Sequence, residues 1–362
     1  INIGTYYTDS GKTVTATIGG VLVSNEDELR SAINNATDGD TIVLADNITI
    51  NTALEITKNI TINGNDHTIT AKGAALYIKE NLESLTVHNL TLKGAELGEN
   101  QKAGEGNDAE SGPWMGIGTY NGGYGVTELT LTDVTIDGFS YGLYFGADTG
   151  KKASVSIDAD GLQIKNSYIK GAYFENLTNS TFNDCEFTDN GTDETKVVEN
   201  FTEWMSGVDI NLKYGEYENI IFDGCTFVSN GDNSGTALHI KARGTGKDTS
   251  YEGNPATLTG VTVTNCTFTN NNKPNGEDKP IVIGEPGKEN TSPTNIYIQP
   301  DVSYTNNLAD TSYVTVTLDA NGGTCDVKSV IVKNGGTIGN LPTPTWTGYD
   351  FQGWYNGNVL VS

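Results

Sequence analysis

The sequence predicts an all-β chain: a solenoid of stacked coils with one capping helix near its N-terminal end, followed by a small β module. Three observations carry that expectation. A two-strand unit recurs in degraded form as Ser84–Gly94 (SLTVHNLTLKG), Glu128–Gly138 (ELTLTDVTIDG), Gly161–Gly171 (GLQIKNSYIKG), Ser180–Asn190 (STFNDCEFTDN), Asn219–Gly231 (NIIFDGCTFVSNG) and Gly260–Asn271 (GVTVTNCTFTNN). Each copy reads apolar–x–apolar, a turn pair, then apolar–x–apolar, which gives two short half-buried strands meeting at a corner. The distance between copies varies while the strands keep their pattern, so loops of different length leave a constant coil. One unit cannot bury its own apolar face, and stacked units can. Glycine is abundant, at 44 of 362 residues, and hydrophobic residues make up 36%, low for a compact globule but enough for a thin stacked core.

Aligning the copies predicts columns. The first inward column holds Val87, Leu131, Ile164, Phe182, Phe222 and Val263. Two residues on comes the corner, at Asn89, Asp133, Asn166, Asp184, Gly224 and Asn265, types that tolerate a left-handed backbone. The next position holds Leu90, Val134, Ser167, Cys185, Cys225 and Cys266, and two further on sit Leu92, Ile136, Ile169, Phe187, Phe227 and Phe268. The three aligned cysteines are expected as a buried, reduced row. Stacked side chains point the same way, whereas a disulfide needs Cβ atoms facing each other.

In chain order, residues 1–20 read as an edge strand or a loose lead-in. Residues 24–36 (SNEDELRSAINNA) form the one amphipathic helix. Ser24 or Asn25 caps it, its acids sit in the first turn, and Leu29, Ala32, Ile33 and Ala36 share a face. It would cover the otherwise open first coil. Residues 39–70 (GDTIVLADNITINTALEITKNITINGNDHTIT) open the coils, with a turn at Asn63-Gly64-Asn65. On these features the chain resembles the right-handed parallel β-helix of the pectin-lyase-like superfamily over residues 21–308. That resemblance implies a fold and leaves the function open.

Two long insertions follow the second half of a unit, so they leave the coil at the same corner: residues 95–127, with Trp114, Tyr120 and Tyr124, and residues 191–206, with Trp204. A third strand type appears at Gly142–Phe145 (GLYF), Val208–Leu212 (VDINL), Ala237–Ile240 (ALHI) and Ile281–Ile283 (IVI). Other loops, carrying Tyr214, Tyr217, Arg243 and Tyr251, follow it. His239 lies between inward Leu238 and Ile240 and is expected on the outer face, toward solvent or a groove.

Two readings of these residues stand side by side. Asp209, His239, Lys241 and Arg243 fall on neighbouring coils, as the acid, base and cation of a polysaccharide lyase would, and also as an ordinary solvated sheet face would. Trp204, Trp114, Tyr214, Tyr217 and Tyr251 suit stacking on sugar rings, and equally suit pinning their own loops to the solenoid. The N-T-D, D-D, G-H-G and R-I-K motifs of polygalacturonase-like enzymes do not occur. No metal-ligand spacing occurs either, and the acidic loop at 95–110 lacks the spacing of a calcium loop, so no metal or cofactor is expected beyond a weak calcium signal.

Residues 299–312 (QPDVSYTNNLADTS) read as a linker, dividing a solenoid at 1–308 from a module at 309–362. Within that module Val316–Gly323 (VTLDANGG), Ser329–Ile338 (SVIVKNGGTI), Leu341–Pro344 (LPTP) and Gly348–Tyr355 (GYDFQGWY) resemble the Listeria–Bacteroides repeat, also called the internalin B-repeat. The resemblance implies a β-grasp-like module of bacterial surface proteins, any wall anchor lying beyond residue 362. The start, INIGTYYTDS, reads as a mature or trimmed terminus. A net charge of −25 disfavours nucleic acid and anionic membranes, and no apolar run is long enough to span a bilayer. The expectation is a monomeric protein, secreted or attached to a bacterial cell wall, that acts as an adhesin or binds an extracellular glycan or a cell-surface protein. A polysaccharide lyase or glycosidase is the first alternative and a structural stalk the second.

Overall fold

The computed structural model describes residues 3–7, 13–17, 19–104, 112–119, 123–148, 153–232, 235–243, 255–273, 279–285, 291–309, 313–325, 329–333, 341–356 and 359–361. Its main body is a parallel β-helix. Each complete coil contributes one strand to each of three parallel sheets, as Ser180–Asn183, Glu186–Thr188 and Ser206–Leu212 do in one coil. Leu82–Gly94 and Val126–Asp137 each run through the first two sheets as one strand, their pairing interrupted at the Asn89/Asp133 corner. The third sheet has eight strands, from Leu54–Ile56 to Ile281–Ile283.

The corner between the first and second sheets is made as the sequence requires. Asn89, Asp133, Gly161, Asp184, Gly224 and Asn265 all have positive φ, between 48° and 66°, the region open to Asn, Asp and Gly. Inside, the columns are filled by stacked rings. Phe182 lies on Phe222 at 4.8 Å, and Phe187, Phe227 and Phe268 follow at 4.9 and 4.6 Å, each pair within 15° of parallel. Cys185, Cys225 and Cys266 form the expected buried row of free thiols. The neighbouring thiol in the row and burial both push the Cys266 thiol far above its ordinary range.

One coil departs from the expected alignment. Ala159, not Ile164, stands in the first column between Leu131 and Phe182. Ile164 stands in the second, between Ile136 and Phe187. The coil turns its first corner at Gly161, and Asn166 makes the second one, where its N–H donates to the Thr188 carbonyl at 3.0 Å. Both corners use the same residue types, so the motif slid by one strand. Ser167 therefore leaves the cysteine row, and Ile169 packs outside the solenoid core.

The second corner carries a feature that pattern alone did not show, a ladder of asparagine side chains. Asn190 Nδ2 donates to Asn230 Oδ1 at 2.9 Å, Asn230 Nδ2 to Asn271 Oδ1 at 2.9 Å, and Asn271 Nδ2 to Asn307 Oδ1 at 3.1 Å. Each Nδ2 also donates to a carbonyl of the preceding coil: Ile164, Phe187, Phe227 and Phe268 in turn. Gly171 and Gly207 make room for it, since a Cβ on either would lie 3.0 Å from the Cγ of Asn190 or Asn230.

Helix Glu26–Asn35 packs on the first coil through buried Leu29 and Ile33. Asn25 Oδ1 accepts the Glu28 N–H at 3.0 Å, and Glu28 Oε2 accepts the Ser24 N–H at 2.8 Å, a reciprocal cap. Ile3–Tyr7 and Thr13–Thr17 pair antiparallel. At the other end the expected linker is mostly coil. Ser303–Thr305 continues the second sheet, Asn307 receives the last rung of the ladder, and Leu308–Ala309 pairs with Asn272–Lys273. The polar run hid a strand whose partners lie a whole coil away. The module that follows pairs Tyr313–Thr317 with Ser329–Lys333 and Tyr355–Asn356 with Val359–Leu360, both antiparallel, around a small core of Leu318, Cys325 and Trp354.

Two outcomes test this account. Asn230→Ala should cost about 3 kcal/mol or more in urea unfolding, because it strands buried groups on two coils at about 1–3 kcal/mol each, and Asn307→Ala, at the open end, should cost less. In the native protein the three row thiols should resist alkylation, and Cys225→Val should be better tolerated than Cys225→Ser, which buries a hydroxyl among apolar side chains.

Candidate functional site

The third sheet turns one face to the core and the other outward. The first insertion, expected at 95–127 as a loop, holds a strand of this sheet, Met115–Thr119, with Ile117 in the core, because its apolar run pairs with Leu76–Tyr77 and Tyr141–Phe145 on the neighbouring coils. Trp114 before it and the second insertion lie on the outer face. Trp114 and Met115 from the first insertion join Val197 and Met205 from the second over Tyr141, Tyr144 and Ile169. The insertions also pair with each other: Ala103 N–H donates to the Lys196 carbonyl at 2.8 Å, and Val198 N–H to the Ala103 carbonyl at 2.9 Å. Their common exit corner, expected from the sequence, brings them together.

Beside this apolar roof lies a buried set of charges. Tyr144, Tyr173, Asp209 and His239 succeed one another across the coils. The Lys170 ammonium pairs with Asp209 Oδ2. Asp209 Oδ1 lies 3.1 Å from His239 Nδ1, although the alignment falls short of a full hydrogen bond. His239 Nε2 lies 3.0 Å from the Gly284 carbonyl, and a carbonyl only accepts, so that nitrogen carries a proton. The Trp204 indole stacks on the imidazole at 4.7 Å and 18°. Lys241 Nζ lies 5.8 Å from the Trp204 ring centroid and 2.5 Å from Glu285 Oε2. A second chain of contacts runs alongside: Arg243 Nε to Asn211 Oδ1 at 3.3 Å, Asn211 Nδ2 to Tyr173 Oη at 3.1 Å, and Tyr173 Oη to Glu175 Oε1 at 2.7 Å.

Burial acts to raise the Asp209 carboxyl, and the Lys170 ammonium, with His239 and Lys241, overrides it and holds the group far below the ordinary carboxylate range. Burial pushes the Tyr173 hydroxyl well above its usual value, with Glu175 and Asp209 adding to it. Asp209, His239 and Lys241 are buried, and Tyr173, Arg243 and Glu285 are half-buried. The His239 ring has Nε2 toward the Gly284 carbonyl and Nδ1 toward Asp209.

The structure brings Asp209, His239 and Lys241 together, as their register implied, but buried rather than facing solvent or a groove, while Arg243 is half-buried and reaches Asn211. The second insertion covers them through Trp204, and outward parity alone could not foresee a roof. Trp114 is fully buried, edge-on to Tyr77 at 6.4 Å, and Tyr217 lies in the solenoid core, so neither offers a face to a ligand. Burial raises the Tyr217 hydroxyl to about 12. Trp204 and Tyr214 are partly exposed, and Tyr251 lies outside the described residues. The sequence reading missed Lys170, Glu175 and Glu285. Lys170 and Glu175 could have been found, since GAYF at 171–174 matches GLYF at 142–145.

Next to the roof, where the second sheet turns toward the third, an open cleft of about 520 Å³ remains. Glu96, Asp137, Tyr168, Asp189, Asp193 and Lys196 line it. Asn166 Nδ2 donates to Asp137 Oδ1 at 2.8 Å. Partial burial raises the Tyr168 hydroxyl, with Glu96 and Asp137 adding to it. Among the described residues no group of three or more His, Cys, Asp or Glu side chains is arranged to hold a metal ion, and no helix is long and apolar enough to cross a membrane.

Residues 315–361 match the Listeria-Bacteroides repeat domain, which fits a bacterial surface protein. No curated protein matches the chain. Among solved structures, ORF18 of Geobacillus virus E2 aligns at a TM-score of 0.38 and 11% identity over 90% of this chain and 69% of its own. The SRRP of L. reuteri 53608 aligns at 0.31 and 16%, and an alginate lyase from Paenibacillus sp. str. FPU-7 at 0.26 and 13%, each over 80% of this chain and 99% of its own. At these identities and TM-scores the likenesses carry no function.

The ion-pair assembly makes a prediction about pH. A carboxyl whose folded pKa is depressed contributes stability above its unfolded value, about 3.9, and loses it as pH falls through the folded pKa. Asp209→Asn should therefore cost about 3–5 kcal/mol near neutral pH. Urea titrations should show the same gap from about pH 7 to about pH 5, closing only in stronger acid.

Proposed function

We propose that this is a bacterial surface protein whose solenoid binds a neutral or amino-sugar glycan in the cleft beside the paired insertions. The supporting observation is the cleft's composition: a half-buried tyrosine amid carboxylates and an amide, open to solvent at the corner where both insertions leave the coil. A phenol ring packs on the apolar face of a sugar while the surrounding acceptors take its hydroxyls. Glu96, Asp137, Asp189 and Asp193 outnumber Lys93 and Lys196 in the lining. That balance repels polyuronates and other polyanions, which weighs against a lyase acting on an acidic polysaccharide here.

The reading is tested with the full chain on an immobilised glycan array, in parallel with assays for released reducing ends and unsaturated uronates. Binding without turnover is expected, and Tyr168→Ala should weaken it by roughly tenfold, the loss of one good aromatic contact. Turnover would favour an enzyme. No binding to any glycan would favour a stalk.

A further inference from the structure

Among the described residues, the C-terminal module carries a cluster of exposed rings that the solenoid does not. Trp346, Tyr349, Phe351 and Tyr355 are 47%, 68%, 40% and 53% exposed within ten residues of chain. Large apolar side chains are not left in water together without reason. They are also held in place. Trp346 stacks on Tyr349 at 4.4 Å and 27°. Beneath Trp346 the backbone passes at Gly322, where φ is +98° and a Cβ would come 3.0 Å from the indole. Phe351 meets Trp354 edge-on at 5.7 Å, and Trp354 is buried with its Nε1 donating to the Pro342 carbonyl at 2.8 Å. The rings therefore form a rigid platform that loses little freedom when something binds.

We infer that the groove of about 440 Å³ between these rings is a second binding site, separate from the cleft on the solenoid, and that its ligand is a neutral glycan. Charge narrows the occupant. Asp319 and Asp350 line the groove, and among the described residues no lysine or arginine lines it. A polyanion or a second copy of this chain, itself at −25, meets like charge there. A cationic peptide would meet the two carboxylates, and it is the competing occupant that the test includes. The groove also offers donors, the Asn321 amide and the Thr345 hydroxyl, which match the acceptor oxygens of a sugar. Aromatic faces flanked by both donors and acceptors match a sugar ring, apolar on its face and hydroxylated at its edge.

The test uses the full chain, with intrinsic tryptophan fluorescence and calorimetry, against neutral polysaccharides of several linkages and a polylysine peptide. A neutral glycan should perturb the fluorescence. In a Tyr168→Ala background, which removes the cleft's aromatic contact, Tyr349→Ala and Trp346→Ala should each weaken the remaining binding by roughly tenfold, and Trp346→Phe should retain most of it. Tyr349 is the most exposed of the rings, so its replacement separates loss of contact from loss of folding. The inference is overturned if no neutral glycan binds, if only the peptide binds, or if binding survives both alanine variants. Glycan binding lost only on Tyr168→Ala would leave the cleft standing and remove this site.

Discussion

The C-terminal half of the solenoid depends on keeping successive coils in register at the corner between the second and third sheets. A backbone corner there must satisfy its amides without water, and a one-residue slip would turn every inward side chain outward. The asparagine ladder answers both demands. Asn190, Asn230 and Asn271 each tie three coils together, their Nδ2 donating to a carbonyl of the coil before and to the Oδ1 of the asparagine in the coil after. A buried polar row of this kind is favourable only when every member is paired, and the column is therefore intolerant of replacement. The second insertion can grow from that corner because the ladder, not the loop, sets the path of the chain there.

The fold was legible because the coil uses short-range signals. Alternation gave the strands, and Asn, Asp and Gly gave the first corner. Capping chemistry placed the helix, whose cap at Asn25 and buried Leu29 and Ile33 match the pattern. What failed was discrimination between like corners. Asn166 has the composition and the φ of a first corner but sits at the second, and only the partner strand fixes which. Ser303–Thr305 was lost for a related reason: its apolar content is one tyrosine, and its pairing comes from the preceding coil.

The site was legible in plan and not in elevation. Register put Asp209 beside His239, since equivalent strands of adjacent coils stack. Whether that outer face meets water is decided by residues 191–205, which carry no periodic signal. The roof also explains how so many charges are tolerated in the interior. Lys170, Asp209, Lys241 and Glu285 each meet an opposite partner, so the cost of removing them from water is offset by pairing rather than by burial of apolar surface. Trp204 closes the assembly with a backbone φ of 57°, a conformation rare for a bulky residue and held here by its stacking on His239.

The ladder also governs how the protein ages. Asn190 and Asn230 are each followed by glycine, the pairing in which an asparagine most readily loses ammonia through attack of the next backbone nitrogen on its side-chain carbon. In the folded chain that attack is blocked twice. Both amides are fixed in the ladder, and the attacking nitrogens are engaged, Gly191 with the Ser167 carbonyl and Gly231 with that of Asn190. An unfolded chain has neither protection. A molecule that opens and lingers would gain a carboxylate in a column with no room for charge, so the same residues that align the coils turn prolonged unfolding into a one-way step.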